Sequence, residues 1–184
     1  MKDRKLLNRE LGRISAEEYR DARPRSGVVL VLDNVRSAHN VGSAFRTADA
    51  FGVDKIYLGG ICPVPPSPEP RKVALGAEEV VPSEHVADVV ALVRRLRADG
   101  YTVVAVEQTE RSVKLNEFES RREAGDAPAR YALVFGNEVE GVQQEVVDEC
   151  DFSLEIPQRG TKHSLNVSVS VGVVLWGIMG VEWK

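Results

Sequence analysis

The segment "NVRSAHNVGSAFRTADAFG", residues 34–52, decides how the rest of the chain is interpreted. It follows an apolar run, Val28–Leu32, that is typical of a buried strand. Two asparagines, two arginines and a histidine lie within it, and the helix after the turn is rich in small residues. Hydrogen-bond donors gathered where a strand passes into a helix favour a site for a phosphate or another anionic group.

Composition places the chain among globular proteins with one core. Its 184 residues include 43% apolar and 28% charged residues, which is ordinary for such a domain. The two cysteines, Cys62 and Cys150, predict no disulfide framework, and neither has a neighbouring histidine, so both are interpreted as buried apolar residues. The charged residues 1–26 contain no signal-peptide pattern. We therefore expect a cytoplasmic protein with no membrane attachment and no metal site.

The net charge of −4 is unevenly distributed. Residues 1–26 carry eight basic and five acidic residues, a net +3, which leaves −7 for the rest of the chain. Residues 3–22 also show an intermittent apolar stripe that predicts a helix. We interpret residues 1–26 as a basic helical arm that contacts a polyanion, and a solvated amphipathic helix is the alternative.

Apolar runs and helical periodicity alternate along the chain. The predicted strands are Val28–Leu32, Lys55–Leu58, Tyr101–Val106, Tyr131–Phe135 and Phe152–Ile156. The predicted helices are Val41–Phe51, with Asn40 as its N-cap, Val86–Ala98 and Gln143–Cys150. Five prolines within residues 62–72 predict a long surface loop without regular structure. Strands that alternate with helices predict a parallel α/β sheet.

The segment Leu165–Trp176 is ambiguous by periodicity. Polar residues alternate with valines, which slightly favours a strand, but the same residues also form one face of a helix. It is too short and too polar for a membrane anchor.

Three polar turns follow predicted strands: 33–40, 136–141 and 157–166. Ligands of open parallel sheets bind beyond the carboxyl ends of strands, so the three turns predict one shared site. The chain contains neither GxGxxG nor GxxxxGK[ST], which disfavours a standard dinucleotide fold and a P-loop.

The same turns carry motifs that resemble a known family. "NVRSAHNVGSAFRTADAFGV", "LVFGNEVEGV" and "IPQRGTKHSLNVSVSVGVVLW" look like motifs one, two and three of the SpoU (TrmH-like) branch of the SPOUT RNA methyltransferases. Their order, spacing and content match from about residue 28 to the C-terminus. The resemblance makes residues 27–184 a SPOUT methyltransferase domain. It implies an α/β fold in which a parallel sheet of about five or six strands has helices on both faces and a deep C-terminal trefoil knot. It also makes residues 165–180 a helix.

The resemblance implies methyl transfer from S-adenosyl-L-methionine to a ribose 2′-hydroxyl of RNA, by a homodimer with its site near the interface. A compact tRNA is favoured over rRNA as the substrate, because the chain shows no separate RNA-binding domain. Carried over onto matching positions, the catalytic residues are Arg46, Asn40, Glu138, Ser164 and Asn166. Cofactor contacts fall on Phe135, Gly136, Asn137, Ile156, Pro157, Ser164 and Leu165. Phosphate contacts are expected from the cations near the turns: Arg36, His39, Arg71, Lys72, Arg159 and Lys162.

Several of these residues have a structural interpretation as well. Asn40 is also a possible helix cap, Glu138 a first-turn helix acid, and Arg46 an i,i+3 partner of Asp49. The family assigns Arg46 as the base, but a guanidinium stays protonated in proteins, so a bidentate grip on the adjacent phosphate is the alternative role.

Two other functions compete with ribose methylation. A non-catalytic RNA-binding protein that retained the fold would not need the cofactor. A methyltransferase for a base nitrogen, as in the related TrmD branch, would carry a different order of motifs.

Overall fold

The computed structural model describes residues 3–7, 10–12, 15, 17–19, 26–65, 68–118 and 130–179, without the side chains of residues 68, 69 and 71. A seven-stranded sheet lies at its centre, and all neighbouring strands run parallel in the order β3-β2-β1-β6-β4-β7-β5. The strands are β1 (Val28–Asp33), β2 (Lys55–Gly59), β3 (Ser83–Val86), β4 (Thr102–Val106), β5 (Val113–Lys114), β6 (Tyr131–Phe135) and β7 (Phe152–Glu155).

Helices connect the strands. They are α1 (Ala38–Ala50), α2 (Pro68–Ala74), α3 (Ala77–Val80), α4 (Val89–Ala98), α5 (Gln144–Glu149) and α6 (Val167–Met179). A short 3-10 segment, Leu115–Glu117, follows β5. Two of the helices begin at side-chain caps, because Ser37 accepts a hydrogen bond from Asn40 N and Asp88 accepts one from Ala91 N.

The central strand β1 is buried on both faces, as its continuous apolar run predicts. Leu30 and Leu32 belong to a core shared with α1 and α6, to which Phe45 contributes a fully buried ring. Val29 and Val31 belong to a second core shared with α4 and α5. The expected parallel α/β sheet with helices on both faces is therefore confirmed.

The main predicted strands and helices are confirmed to within a few residues, but three expectations were wrong. The sheet has seven strands rather than five or six, because β3 and the two-residue β5 are short and polar and carry no apolar run. The predicted start of a helix at Val86 is the end of β3. The proline-rich segment is not wholly irregular, because residues 68–74 form α2, whose first turn accepts prolines without losing hydrogen bonds.

Two further expectations concern the C-terminal helix and the N-terminal arm. Residues 167–179 form a helix, so the weak strand period was wrong and the family resemblance was right. The helix predicted over residues 3–22 is present at residues 17–19 and wrong at residues 3–7, and half of the predicted arm lies outside the described residues. The division at residue 26 therefore stays a prediction. No helix in the described part of the chain is long and apolar enough to cross a bilayer.

Candidate functional site

The candidate site lies at the edge of the sheet where the carboxyl ends of four strands meet. In the order β1-β6-β4-β7 their carboxyl ends lie side by side, so the segments that follow them meet there. A cavity of about 480 Å³ opens at this edge. It is lined by Val106, Glu107, Gln108, Phe135, Gly136, Asn137, Glu138, Val139, Glu140, Gly141, Leu154, Glu155, Ile156, Gln158, Ser164, Leu165, Asn166, Val167 and Ser170.

A chain of hydrogen bonds joins the three predicted motifs. Asn166 Nδ2 donates to Asn40 Oδ1 across 3.1 Å, and Asn40 Nδ2 donates to Glu138 Oε1 across 2.9 Å. Asn40 is only 6% exposed, so its amide is fixed behind the cavity wall. Three residues that are far apart in sequence thus form one polar unit. Glu138 therefore holds the Asn40 amide in place.

Glu138 also receives the backbone of the first motif. Its carboxylate accepts Arg36 N–H and Ser37 N–H, each across 3.1 Å. Burial alone would raise the pKa of Glu138, but the hydrogen bonds from Asn40 and from the backbone together hold that pKa below its usual value. Glu138 lies in a turn six residues before α5 begins, so its interpretation as a first-turn helix acid was wrong.

The turn after β6 is closed by its own backbone. Asn137 and Gly141 exchange two hydrogen bonds of 2.9 and 3.0 Å, and Asn137 Nδ2 donates to the Asn34 carbonyl across 2.8 Å. Gly136 admits no side chain, because a Cβ there would lie 2.0 Å from Gly141 C and from Val142 N. The glycine is therefore required by the close approach of two backbone segments.

The end of β1 supports this turn from the other side. Asp33 is fully buried, and its carboxylate accepts Gln143 N–H and Asn34 Nδ2–H, each across 2.9 Å. Asn34 Nδ2 also donates to Gln143 Oε1 across 2.9 Å. Burial raises the pKa of Asp33, although these two bonds oppose the change.

Most residues predicted to contact a cofactor do line the cavity. Six of the seven are among the lining residues: Phe135, Gly136, Asn137, Ile156, Ser164 and Leu165. Pro157 is not among them, although both of its neighbours in sequence are. Their role stays a prediction, but their placement agrees with it.

Arg46 does not line the cavity of its own chain. It is exposed on α1, one helical turn beyond Gly42, whose close contact with Pro70 marks the side of α1 that packs on α2. The structure therefore does not bring Arg46 together with Glu138 and Asn166 within one chain. Neither the pairing with Asp49 nor the catalytic role is tested by this placement.

The predicted phosphate contacts form an outer set of cations. The described side chains among them are all exposed, and none lines the cavity: Arg36, His39, Lys72, Arg159 and Lys162. The side chain of Arg71 lies outside the described residues.

The cavity itself is acidic. Four glutamates line it, Glu107, Glu138, Glu140 and Glu155, and no described lysine, arginine or histidine does so. A cationic ligand suits such a lining better than a nucleotide phosphate does. The floor is apolar, with Phe135 and Leu154 buried beneath it.

Sequence reasoning missed two groups at this site. Glu107 and Gln108 follow β4 and line the cavity, although the strand ahead of them was predicted and its carboxyl end had to reach the same edge. Ser37, not Asn40, caps α1, because the helix begins three residues earlier than predicted. The run "SAHN", residues 37–40, carried the signal for this cap, because an N-cap serine accepts the backbone N–H of the residue three positions later.

Of the two thiols, Cys62 is buried, as predicted, whereas Cys150 is half-buried. Cys62 is 4% exposed and donates to the Leu32 carbonyl across 3.2 Å. Burial raises the pKa of Cys62 and that of Cys150 to about 12, so neither forms a thiolate near neutral pH. Within the described residues no group of three or more potential ligands is placed to hold a metal ion.

An open parallel sheet, helices on both faces and a cavity beyond the carboxyl ends of its strands define the class of α/β proteins that bind a ligand at a sheet edge. The model of the SpoU rRNA Methylase family matches residues 27–176. The chain therefore belongs to the SpoU rRNA methylase family.

Individual relatives agree with this assignment. The chain is 33% identical over 156 residues to the 23S rRNA (guanosine-2′-O-)-methyltransferase RlmB of Coxiella burnetii, covering 85% of this chain and 59% of that protein. Its fold is similar to that of an AdoMet-bound rRNA methyltransferase from Sinorhizobium meliloti, with a TM-score of 0.77 and 30% identity over 90% of this chain and 60% of that one. It is also similar to the A. aeolicus TrmH/SpoU tRNA modifying enzyme, with a TM-score of 0.76 and 27% identity over 90% of this chain and 81% of that one.

Proposed function

We propose that this protein transfers a methyl group from S-adenosyl-L-methionine to a ribose 2′-hydroxyl of RNA. The hydrogen-bonded chain Asn166–Asn40–Glu138 carries the proposal, because it unites the three family motifs beside the cavity. The name of the Coxiella relative, a 2′-O-methyltransferase of rRNA, supports this reaction, and the AdoMet-bound rRNA methyltransferase from Sinorhizobium supports the cofactor and methyl transfer to RNA.

The residues present fit the cofactor. The cavity volume of about 480 Å³ is in the range of small-molecule sites. Ile156 and Leu165 offer apolar surface to an adenine, and the glutamates complement the positive charge of a sulfonium and an ammonium group. When bound, the cofactor supplies an electrophilic methyl group.

Glu138 and Asn40 position the walls of this site. The lowered pKa keeps Glu138 ionised at neutral pH, so it accepts the three N–H groups of the first motif continuously. Asn40 in turn accepts a hydrogen bond from Asn166 and fixes the orientation of that side chain. The side-chain oxygen of Asn166 accepts Ser168 N–H across 2.9 Å and thereby caps α6. Ser164 also lines the cavity, where its hydroxyl is proposed to contact either substrate.

The exposed cations are proposed to bind RNA. Arg36, Lys72, Arg159 and Lys162 lie outside the acidic cavity, so a polyanion contacts the rim while the cationic cofactor enters the interior. Arg46 is proposed to grip the phosphate next to the reactive ribose and to steer the 2′-oxygen toward the methyl group. A tRNA is favoured over rRNA, and the named substrates of relatives include both kinds of RNA.

The active form is proposed to be a cytoplasmic homodimer. Val169, Val173 and Trp176 form one apolar face of α6 and are 50%, 37% and 67% exposed. Such a face on the last helix favours burial against a second copy. Because Arg46 does not line the cavity of its own chain, a second copy can supply that side chain to the site.

A deep C-terminal trefoil knot is part of the same proposal. It is supported by the close packing of α6 beneath the segment that follows β4 and β5. A Cβ at Gly177 would lie 2.8 Å from Leu115 Cδ1, so the 3-10 segment packs directly against α6.

Methyl transfer from labelled S-adenosylmethionine tests the proposal. Total tRNA and rRNA are supplied separately, both from a strain that lacks this gene, and product nucleosides are identified by mass spectrometry. We expect a 2′-O-methylated nucleoside in one pool. Arg46→Ala should nearly abolish transfer while cofactor affinity and melting temperature stay close to wild type. Loss of folding in this variant would make Arg46 structural.

The assay also separates the alternative functions. RNA binding without cofactor binding would establish a non-catalytic RNA-binding protein. A methylated base nitrogen would overturn the ribose assignment. Label in neither pool, with cofactor bound, would exclude mature tRNA and rRNA as substrates.

A further inference from the structure

The two residues that follow β4 lie between the walls of the cavity. β4 is placed between β6 and β7 in the sheet, and the walls are the turn after β6 and the segment after β7. Any residue at the carboxyl end of β4 therefore emerges between them. Glu107 and Gln108 occupy this position, and neither belongs to the three family motifs.

Glu107 holds the first wall. Its Oε2 accepts Val142 N–H across 3.0 Å, and its Oε1 accepts Gln108 N–H across 2.8 Å. The carboxylate lies directly against Gly141, where a Cβ would come within 2.2 Å of Oε2. Gly141 is the residue that closes the turn with Asn137, at φ +71°. Glu107 therefore fixes the closing point of this turn.

Gln108 holds the second wall. Its Nε2 donates to the His163 carbonyl oxygen, directly ahead of the lining residues Ser164 and Leu165. Residues 157–166 are all exposed and form no helix or strand. Within the described hydrogen bonds, the segment 157–165 has one other, from Gln158 to the same oxygen at 3.5 Å. Among these hydrogen bonds, the one from Gln108 is therefore the one that ties the segment 157–165 to the rest of the protein.

We infer that Glu107 and Gln108 are positioning residues that set the separation of the two cavity walls. Two consecutive residues directly after β4 hold both walls, so the spacing of the walls is set before a ligand enters. A pre-formed site binds its ligand with less loss of conformational entropy. The inference rests on the proposed cofactor site, and it assigns affinity for S-adenosylmethionine to residues that do not react with it.

Gln108→Met tests the tether, because methionine keeps the length of the side chain and lacks the donor. We expect the dissociation constant for S-adenosylmethionine, measured by calorimetry, to rise roughly fivefold to tenfold, the factor for one lost hydrogen bond. KM for the cofactor should rise by a similar factor and kcat should change less than about twofold, which a general structural defect would not produce.

Proteolysis gives a second measure that needs no cofactor. Arg159 and Lys162 are trypsin sites within the tethered segment. We expect cleavage there to accelerate several-fold in Gln108→Met, while the melting temperature stays close to wild type. The matched control is Gln144→Met on α5, where the side chain donates to Asp148 as its one hydrogen bond among the described residues and does not line the cavity. It should leave both measurements unchanged.

Glu107→Gln provides an independent variant if Gln108→Met does not fold. Glutamine retains the oxygen that accepts Val142 N–H and loses the second acceptor, so a smaller rise in the dissociation constant is expected. Its control is Glu110→Gln, an exposed position outside the cavity.

The outcomes separate this inference from the proposed function. Wild-type cofactor affinity and wild-type cleavage in Gln108→Met would overturn the inference. If the wild-type protein does not bind S-adenosylmethionine, the proposed function fails, and the proteolysis result alone then decides whether Gln108 tethers the segment.

Discussion

Asn40→Asp tests the central hydrogen bonds of the site at constant side-chain volume. Asn40 is 6% exposed, donates to Glu138 across 2.9 Å and accepts from Asn166 across 3.1 Å. The aspartate keeps the acceptor for Asn166. It replaces the amide that faces Glu138 with a second carboxylate, so one donor is lost and two negative charges are brought together.

The expected loss of stability follows from these two changes. A hydrogen bond to a charged group contributes about 1.5–3 kcal/mol. Two unit charges about 3 Å apart repel by about 1.5–3 kcal/mol at an effective dielectric constant of about 40–80, which suits a partly exposed pair. Because the two contributions overlap, we expect the free energy of unfolding to fall by about 3–5 kcal/mol at about pH 8.

The loss should shrink in acid. Hydrogen bonds hold the pKa of Glu138 below its usual value in spite of burial, so they stabilise the wild type above the unfolded-state pKa and are lost as pH falls through the lowered native pKa. In Asn40→Asp, two carboxylates share the site and one pKa is raised, so a proton held between them in mild acid restores a hydrogen bond. At about pH 5 the free energies of unfolding of Asn40→Asp and wild type should differ by only about 1 kcal/mol.

Urea unfolding at both pH values, followed by circular dichroism, measures this difference. Asn116→Asp is the control, because it adds the same charge at an exposed position outside the cavity. A loss below about 1 kcal/mol near about pH 8 would refute the argument that Asn40 and Glu138 form one unit. An equal loss at both pH values would refute the assignment of the effect to paired carboxylates.

Three further predictions follow from the same geometry. Gly136→Ala should lower the free energy of unfolding by about 3 kcal/mol or more, or prevent folding, because the new Cβ would lie 2.0 Å from backbone atoms. Gly160→Ala is the control. A Cβ there has no atom within 4 Å, so the melting temperature should stay almost unchanged. Trp176→Glu should convert the proposed dimer to a monomer in light-scattering measurements, and Leu75→Glu, at a side chain that is 69% exposed on another part of the surface, should not. Raising salt should weaken binding of S-adenosylmethionine to the acidic cavity but hardly affect its demethylated product, which lacks the sulfonium charge; an equal response of both ligands would contradict a role for the lining carboxylates.

The sequence predicted the layers of the fold because its strongest signals were local. Val28–Leu32 and Tyr131–Phe135 are continuous apolar runs, and both are buried strands at the centre of the sheet. Ser83–Val86 had no such signal, because an exposed edge strand needs only backbone partners from β2. The order of the strands lay beyond periodicity, since it depends on which helices cover which face.

The functional site was predicted through motifs rather than through physical pattern. The final helix illustrates the difference. Its alternating valines and serines fit a strand period, yet residues 167–179 are helical because Val171, Val174 and Ile178 pack into the core beside α1. Tertiary packing overrides a weak local period, and the resemblance carried that information where the residues alone did not.

The role of Asn40 depended on the position of a helix start. If α1 had begun at Val41, the Asn40 side chain would have been used to cap it. Because Ser37 caps the helix instead, the Asn40 amide is turned inward and joins Asn166 to Glu138. A sequence places helix ends only to within a few residues, and three residues here separate a helix cap from a link between the motifs.

The turn between β1 and α1 directs its hydrogen-bond donors at a carboxylate of the protein itself. Arg36 N–H, Ser37 N–H and the Asn40 amide all donate to Glu138, so the positive end of α1 is already neutralised by a carboxylate. An RNA phosphate cannot occupy the same donors without displacing Glu138 and breaking the link to Asn166. In the proposed function, the phosphate contacts therefore belong to exposed side chains such as Arg36 and Lys162. The strand-to-helix turn joins the three motifs through hydrogen bonds, and the proposed RNA contacts lie around it.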